Sequence, residues 1–137
     1  MDSLKDTILA AEDLLFKDVP VPEWGEDTVV RVRGLTDEQV GAWQAKSTSL
    51  RLKARRGEDP DVEVKIAQRR AELLVQCLFN PETDKLIFTN ADARKLAKKN
   101  AGVIQGLHEL ATDLSGLDRK FDEQVKDAEA DFSDGQS

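Results

Sequence analysis

Tyrosine is absent from the 137 residues, and aromatic side chains make up only 5%. Any core must therefore be aliphatic, built from Leu, Val, Ile and Ala. A single cysteine excludes an intramolecular disulfide and any Cys₂ or Cys₄ zinc site. A single histidine excludes every His–His metal motif. No apolar run approaches the ~20 residues of a membrane span. The first residues carry Asp2, Asp6, Glu12 and Asp13 where a secretory signal needs basic and then apolar residues. The expectation is a soluble protein of a reducing compartment. Phosphate-cradling GxGxxG and GxxxxGK loops are also missing, as are the GxSxG nucleophile elbow and the HExxH zinc helix.

What is present is a charged, aliphatic chain of 15.2 kDa, 39% hydrophobic and 34% charged. That is the composition and length of one globular domain able to bury roughly two-thirds of its unfolded surface. Its net charge of −7 is unevenly placed. Residues 1–30 hold two basic and eight acidic side chains, and residues 101–137 hold three and nine. Between them the balance is basic, with seven against four over 31–60 and eight against six over 61–100. Acidic ends around a mildly basic middle suit contact with a protein partner. An overall acidic chain does not suit general nucleic-acid binding.

Enzymatic chemistry finds no assembled group. Cys77 and His108 could in principle form a thiol–imidazole couple. Cys77, however, falls on the apolar stripe of Leu73 and Leu74, the place of a small buried hydrophobe. The carboxylate pairs Asp37-Glu38 and Asp122-Glu123 occupy a helix start and a solvated face. No cofactor, metal or catalytic residue is expected.

Along the chain, Leu4, Ile8, Ala11 and Leu15 mark a short amphipathic helix over 3–15. The stretch Phe16-Lys17-Asp18-Val19-Pro20-Val21-Pro22-Glu23-Trp24 must be extended and at a sheet edge, because two prolines fix φ and remove donors, with Val19, Val21 and Glu23 on one face. Trp24-Gly25-Glu26-Asp27 reads as a turn, and Thr28-Val29-Val30-Arg31-Val32-Arg33 as a second strand. Together these predict a β-hairpin over about 17–33. Thr36-Asp37-Glu38-Gln39 is a capping box opening a helix over about 36–53, with Val40, Trp43, Ser47 and Leu50 on one face. The stretch from Arg55 through Gly57 to Pro60 reads as an exposed charged loop. A helix over 61–79 turns Val62, Ile66, Leu73, Leu74, Cys77 and Leu78 inward, with Arg69 and Arg70 flanking. A tight connection with Pro and Asx-turn chemistry follows over 79–88. Thr89 and Asp92 repeat the capping logic before a helix over 90–99. The last core helix spans 101–114, with Val103, Leu107, Leu110 and Leu114 in line.

The expected fold is α+β, mainly helical, with a small N-terminal hairpin packed on the helices and one domain over 1–116. Residues 117–137 are expected to form a charged helical extension and a disordered tail. Its stripe of Leu117, Phe121 and Val125 is one apolar residue wide, too thin for a secure core helix, and so suited to a partner's missing face. Trp24 and the basic group Arg51, Lys53, Arg55 and Arg56 are the other candidate partner-binding residues.

This order of parts resembles the tail assembly chaperones of long-tailed bacteriophages (siphoviruses). The likeness lies in the acidic start, then Val19-Pro20-Val21-Pro22-Glu23-Trp24-Gly25, then Val30-Arg31-Val32-Arg33-Gly34-Leu35-Thr36 entering a helix. A second block joins Ala71-Glu72-Leu73-Leu74-Val75 to Leu86-Ile87-Phe88-Thr89 and ends at Leu114-Ser115-Gly116-Leu117. It covers about residues 8–117, and the charged insert near Arg55-Arg56-Gly57 departs from it. The resemblance implies a non-enzymatic protein that binds the tape-measure protein, keeps it soluble and recruits tail-tube subunits. It also implies a place in the cytoplasm of the infected bacterial host, absence from the mature virion, and often a longer product made by ribosomal frameshifting. The residues alone leave two alternatives, a head–tail connector in the virion and a small nucleic-acid-binding regulator. They leave the oligomeric state open.

Overall fold

Prolines and β-branched residues decide the first third of the chain. In the computed structural model, which describes residues 3–57 and 60–117, strands β1 (Phe16–Pro20) and β2 (Val29–Arg33) pair antiparallel, with Val19 opposite Val30. The predicted hairpin is present. Pro20 lies on the outermost strand, where its missing donor costs no ladder bond. The expected extension does not run on to Trp24. Pro22–Trp24 forms a single 3₁₀ turn, because proline's fixed φ suits the first position of a helical turn. Gly25 follows at φ +146°, a region that a side chain at this position would not tolerate. Alternation sends Val30 and Val32 into the core and turns Arg31 and Arg33 to the other face.

Helix α2 (Asp37–Arg56) opens with the predicted capping box. The Gln39 N–H donates to Thr36 Oγ1 at 3.2 Å, and the Thr36 N–H donates to Gln39 Oε1 at 3.0 Å. Gly57, at φ +65°, closes the helix with its N–H on the Ala54 carbonyl. Arg55 and Arg56, expected in a loop, belong instead to the last turn of α2, where cations oppose the negative end of the helix.

Helix α3 (Val62–Cys77) buries Ala71, Leu73, Leu74, Val75 and Cys77. Its first half follows the expected stripe only in part: Val62 is half-buried, but Ile66 is 41% exposed, as is Val64 off the stripe at 59%. The reason is that the neighbour of α3 on that side, α2, itself buries no residue completely. The stretch over 79–88 is also more than a connection. Strands β3 (Leu78–Asn80) and β4 (Lys85–Leu86) extend the hairpin into a four-stranded antiparallel sheet of order β1-β2-β3-β4. Leu78 pairs with Val32 and Phe79 with Leu86. The expected Asx turn is there, with the Glu82 N–H donating to Asn80 Oδ1 at 2.9 Å.

The predicted helix over 90–99 is realised as a 3₁₀ turn, Asn90–Asp92, and a single α-turn, α4 (Ala93–Leu96). The Asp92 carboxylate accepts from the Thr89 N–H and hydroxyl, and these bonds hold its pKa below the usual carboxylate value. Helix α5 (Ala101–Leu114) begins at Asn100, whose Oδ1 accepts from the Val103 N–H. The fold is mainly helical α+β.

The core lies between the inner face of the sheet and α3, α4 and α5. Val32, Leu73, Leu74 and Leu78 are wholly buried at its centre, with Leu96, Ile104 and Leu107 around them. Leu117 closes this core at 8% exposure. Helix α1 (Ser3–Ala10) is the contrary case. It buries nothing, and Leu4, Ile8 and Leu15 of the expected stripe are 67%, 62% and 64% exposed. At eight residues it is below the length at which an unpacked helix holds itself. The predicted extension beyond Leu117 lies outside the described residues.

Candidate functional site

Two surfaces carry chemistry worth separating. The first is the outer face of the sheet, where alternation places Arg31 and Arg33. Arg31 donates to Asp18 at 2.7 and 3.1 Å in a bidentate pair, and its guanidinium lies 4.5 Å from the centre of the Phe16 ring. Arg33 pairs with Asp84 and sits 4.1 Å over Phe79. The Arg31 bond lowers the pKa of Asp18 and raises that of Arg31. These charges are spent on each other and on aromatic faces. They bind the tip of the β3–β4 hairpin to the N-terminal strands, which is structural work.

The second surface is a groove of about 220 Å³ where α2, α3 and α5 meet. Trp43, Leu50 and Ile66 supply its apolar wall, His108 its floor, and Arg51 and Arg70 its basic rim. Arg69, which interrupts the apolar stripe of α3, holds the groove in shape. Its guanidinium donates to the Trp43 carbonyl at 2.7 Å, to Ser47 Oγ at 3.3 Å and to Glu72. In return the Trp43 indole N–H donates to the Arg69 carbonyl at 3.3 Å. Trp43 and His108 stand 6.3 Å apart, tilted by 49°. The groove was not legible as such in the sequence, although Leu50 and Ile66 were each placed on an inward face. Their meeting depends on how two helices cross, which no single stripe encodes.

The residues expected to meet a partner fall in different places. Arg51, Arg55 and Arg56 are exposed along the last turns of α2, and Arg51 reaches the groove. Trp24 lies some distance off, half-buried against the core beside Val29, Ile87 and Phe88. Its indole N–H is buried and meets no acceptor among the described residues. Leu117 is part of the core. Phe121 and Val125 lie outside the described residues.

Catalytic chemistry finds no footing at the one thiol. Cys77 is buried among Leu73, Leu74 and Leu78, and burial pushes its pKa from about 9 up to about 12. The thiolate is therefore absent near neutral pH. Two results should follow. A disulfide reagent should label Cys77 at least ~100-fold faster in urea than in the native protein, since the thiolate and access both appear on unfolding. The contribution of Cys77 to stability should also be level below pH 9 and fall between pH 9 and 12. In that window the unfolded chain has lost a proton that the folded chain retains.

The groove thus offers a partner an apolar wall with a basic rim. Residues 3–131 match the family model described as phage tail assembly chaperone. The chain belongs to that family, acts as a tail assembly chaperone and is not an enzyme. In fold it is similar to the solved structure of the bacteriophage HK97 tail assembly chaperone, with a TM-score of 0.53 and 21% identity over 83% of this chain and 95% of that one. No curated protein sequence matches the chain. Among the described residues, no helix is long and apolar enough to cross a membrane.

Proposed function

We propose that this chaperone binds the tape-measure protein of its phage, keeps it soluble, and recruits tail-tube subunits while the tail is built. Family membership limits the partners to tail proteins. The observation that carries the finer reading is the groove of α2, α3 and α5, with Trp43, Leu50 and Ile66 as its apolar wall and Arg51 and Arg70 on its rim. Elsewhere on the same two helices Leu52 and Val64 are 45% and 59% exposed, and Arg55 and Arg56 are exposed on the last turn of α2. A long helical partner with apolar faces needs such a surface, and a charged carrier keeps the complex in solution. Phe121 and Val125 of the extension supply further contacts, and Trp24 marks a second point of contact. The work takes place in the host cytoplasm, before the finished virion, which does not retain the protein.

Co-expression tests this directly. The tape-measure protein should appear in the soluble fraction with the chaperone and in the pellet without it. Equal aggregation in both would overturn the proposal. Recovery of the chaperone from purified virions would favour a connector role instead.

A further inference from the structure

Strand β2 is paired along its whole length on one side and along two residues on the other. Backbone groups in a strand alternate sides. The Val21 N–H donates to the Thr28 carbonyl and the Gly34 N–H to the Leu15 carbonyl, so the even-numbered positions along β2 bond to β1. Val29, Arg31 and Arg33 therefore turn their backbone groups toward β3. There the ladder runs through Val32–Leu78 and stops at Arg31–Phe79. The same register brings Pro81 opposite Val29, and proline has no N–H to give. The Val29 carbonyl is left without a strand donor. It lies at a cleft of about 470 Å³ between the Trp24 turn and the tip of the β3–β4 hairpin.

We propose that this cleft binds a short extended segment of a partner protein, one that alternates apolar and basic side chains. The inference rests on the binding role proposed above and gives its second point of contact a chemistry. Its test uses no tail protein, so either reading can fail without the other.

Backbone chemistry favours an extended chain. A segment entering the cleft can give one N–H to the Val29 carbonyl. The Trp24 indole N–H, buried and without an acceptor among the described residues, calls for a carbonyl in return. A buried donor left unpaired is costly, so a ligand that supplies its acceptor gains more than an exposed contact would. Such paired main-chain bonds are how a sheet takes up a peptide.

Side chains set the pattern. Val29 and Ile87 are 43% and 41% exposed at the cleft, and Phe88 is half-buried there. Successive side chains of an extended segment point to opposite sides, so every second one can meet this apolar patch.

Charge selects the rest. Asp27 and Glu82 line the cleft, both exposed, and neither is in an ion pair among the described residues. Two carboxylates with no cation beside them in the lining draw lysine or arginine, and repel phosphates of nucleic acid or lipid. The helical groove carries the opposite sign, with Arg51 and Arg70 on its rim. A segment that suits one surface is turned away by the other, so the two hold different segments.

The test uses the full ¹⁵N-labelled chain, whose two tryptophans each give one indole N–H signal. The probe is a short synthetic peptide of alternating lysine and valine, blocked at both ends. It should shift the Trp24 signal and leave that of Trp43 in place. The same peptide with glutamate in place of lysine should move neither. Asp27→Lys combined with Glu82→Lys should weaken binding of the lysine peptide by ~10-fold or more, and ~1 M salt should weaken it in the wild type. A Trp24 signal unmoved by millimolar lysine peptide would overturn the proposal. So would equal shifts with the glutamate peptide, a Trp43 signal that moves instead, or wild-type binding indifferent to salt. A folded double variant, its Trp43 signal unchanged, that binds as tightly as the wild type would overturn it too.

Discussion

Replacement of Gly34 by alanine should lower stability by about 1–3 kcal/mol, and replacement by valine should cost more. Gly34 lies at the end of β2, where its N–H donates to the Leu15 carbonyl at 2.9 Å. A Cβ on this residue would stand 2.5 Å from the Leu114 carbonyl oxygen and 2.9 Å from its carbon. Both atoms are backbone at the end of α5, so no rotamer change relieves the clash. Either the strand or the helix must move, and both are tied down: Leu35 binds Ser115, whose hydroxyl donates to the Ala111 carbonyl at 2.7 Å. Against a typical total of 5–15 kcal/mol, the valine variant approaches unfolding. Gly41→Ala supplies the opposite sign in the same experiment. It sits within α2 with nothing within 4 Å of a new Cβ, and should gain up to about 1 kcal/mol from helix propensity. Urea denaturation of the two variants reads both effects. A Gly34→Ala chain as stable as wild type would mean that α5 does not rest on β2 as described.

The second large effect concerns the partner and not the fold. Val64→Glu combined with Ile66→Glu should reduce affinity for the tape-measure protein by ~100-fold or more. Each side chain that passes from water into an interface contributes about 1.5–3 kcal/mol, and ~1.4 kcal/mol is tenfold in affinity. Both residues are substantially exposed in the chaperone alone, so the thermal midpoint should move little. Co-sedimentation reports the binding and a melting curve the fold. Retained binding in a folded variant would move the docking surface elsewhere, with Trp24 and its neighbours the next to test.

The parts of the fold that were legible in sequence are those set by local chemistry. Thr36 and Gln39 announce a helix start because each satisfies the other's backbone donor, and no distant residue is required. Pro20 is confined to an edge strand for an equally local reason, while Pro22 opens the 3₁₀ turn instead of prolonging that strand. Strands β3 and β4 escaped notice because runs of three and two residues cannot display a period. The strand that β3 joins, β2, lies some 45 residues earlier in the chain, and β4 pairs with β3 alone. The failures over α1 and Ile66 share another cause. An amphipathic stripe states that a face is apolar, not that the same molecule covers it. Leu4, Ile8 and Ile66 are apolar positions at helical spacing whose cover is missing from the described chain. Leu117 errs the other way: a thin stripe suggested exposure, yet its first residue completes the core. The groove needed three helices in place before it existed at all.

The position of β2 at the middle of the sheet has a bearing on how the chain is made. During synthesis, β1 can close on β2 as soon as the hairpin leaves the ribosome. The other side of β2 waits for Leu78 and Phe79, after the whole of α2 and α3 has been translated. Through that interval the nascent chain carries Val30 and Val32 on a strand with one open edge, the form most prone to pair with a neighbouring chain. A stop codon anywhere between residues 34 and 77 therefore yields a fragment that should aggregate rather than a smaller working domain. Gene fragments meant to isolate a binding part of this protein need to extend through Leu86 at the least, and through Leu117 to close the core.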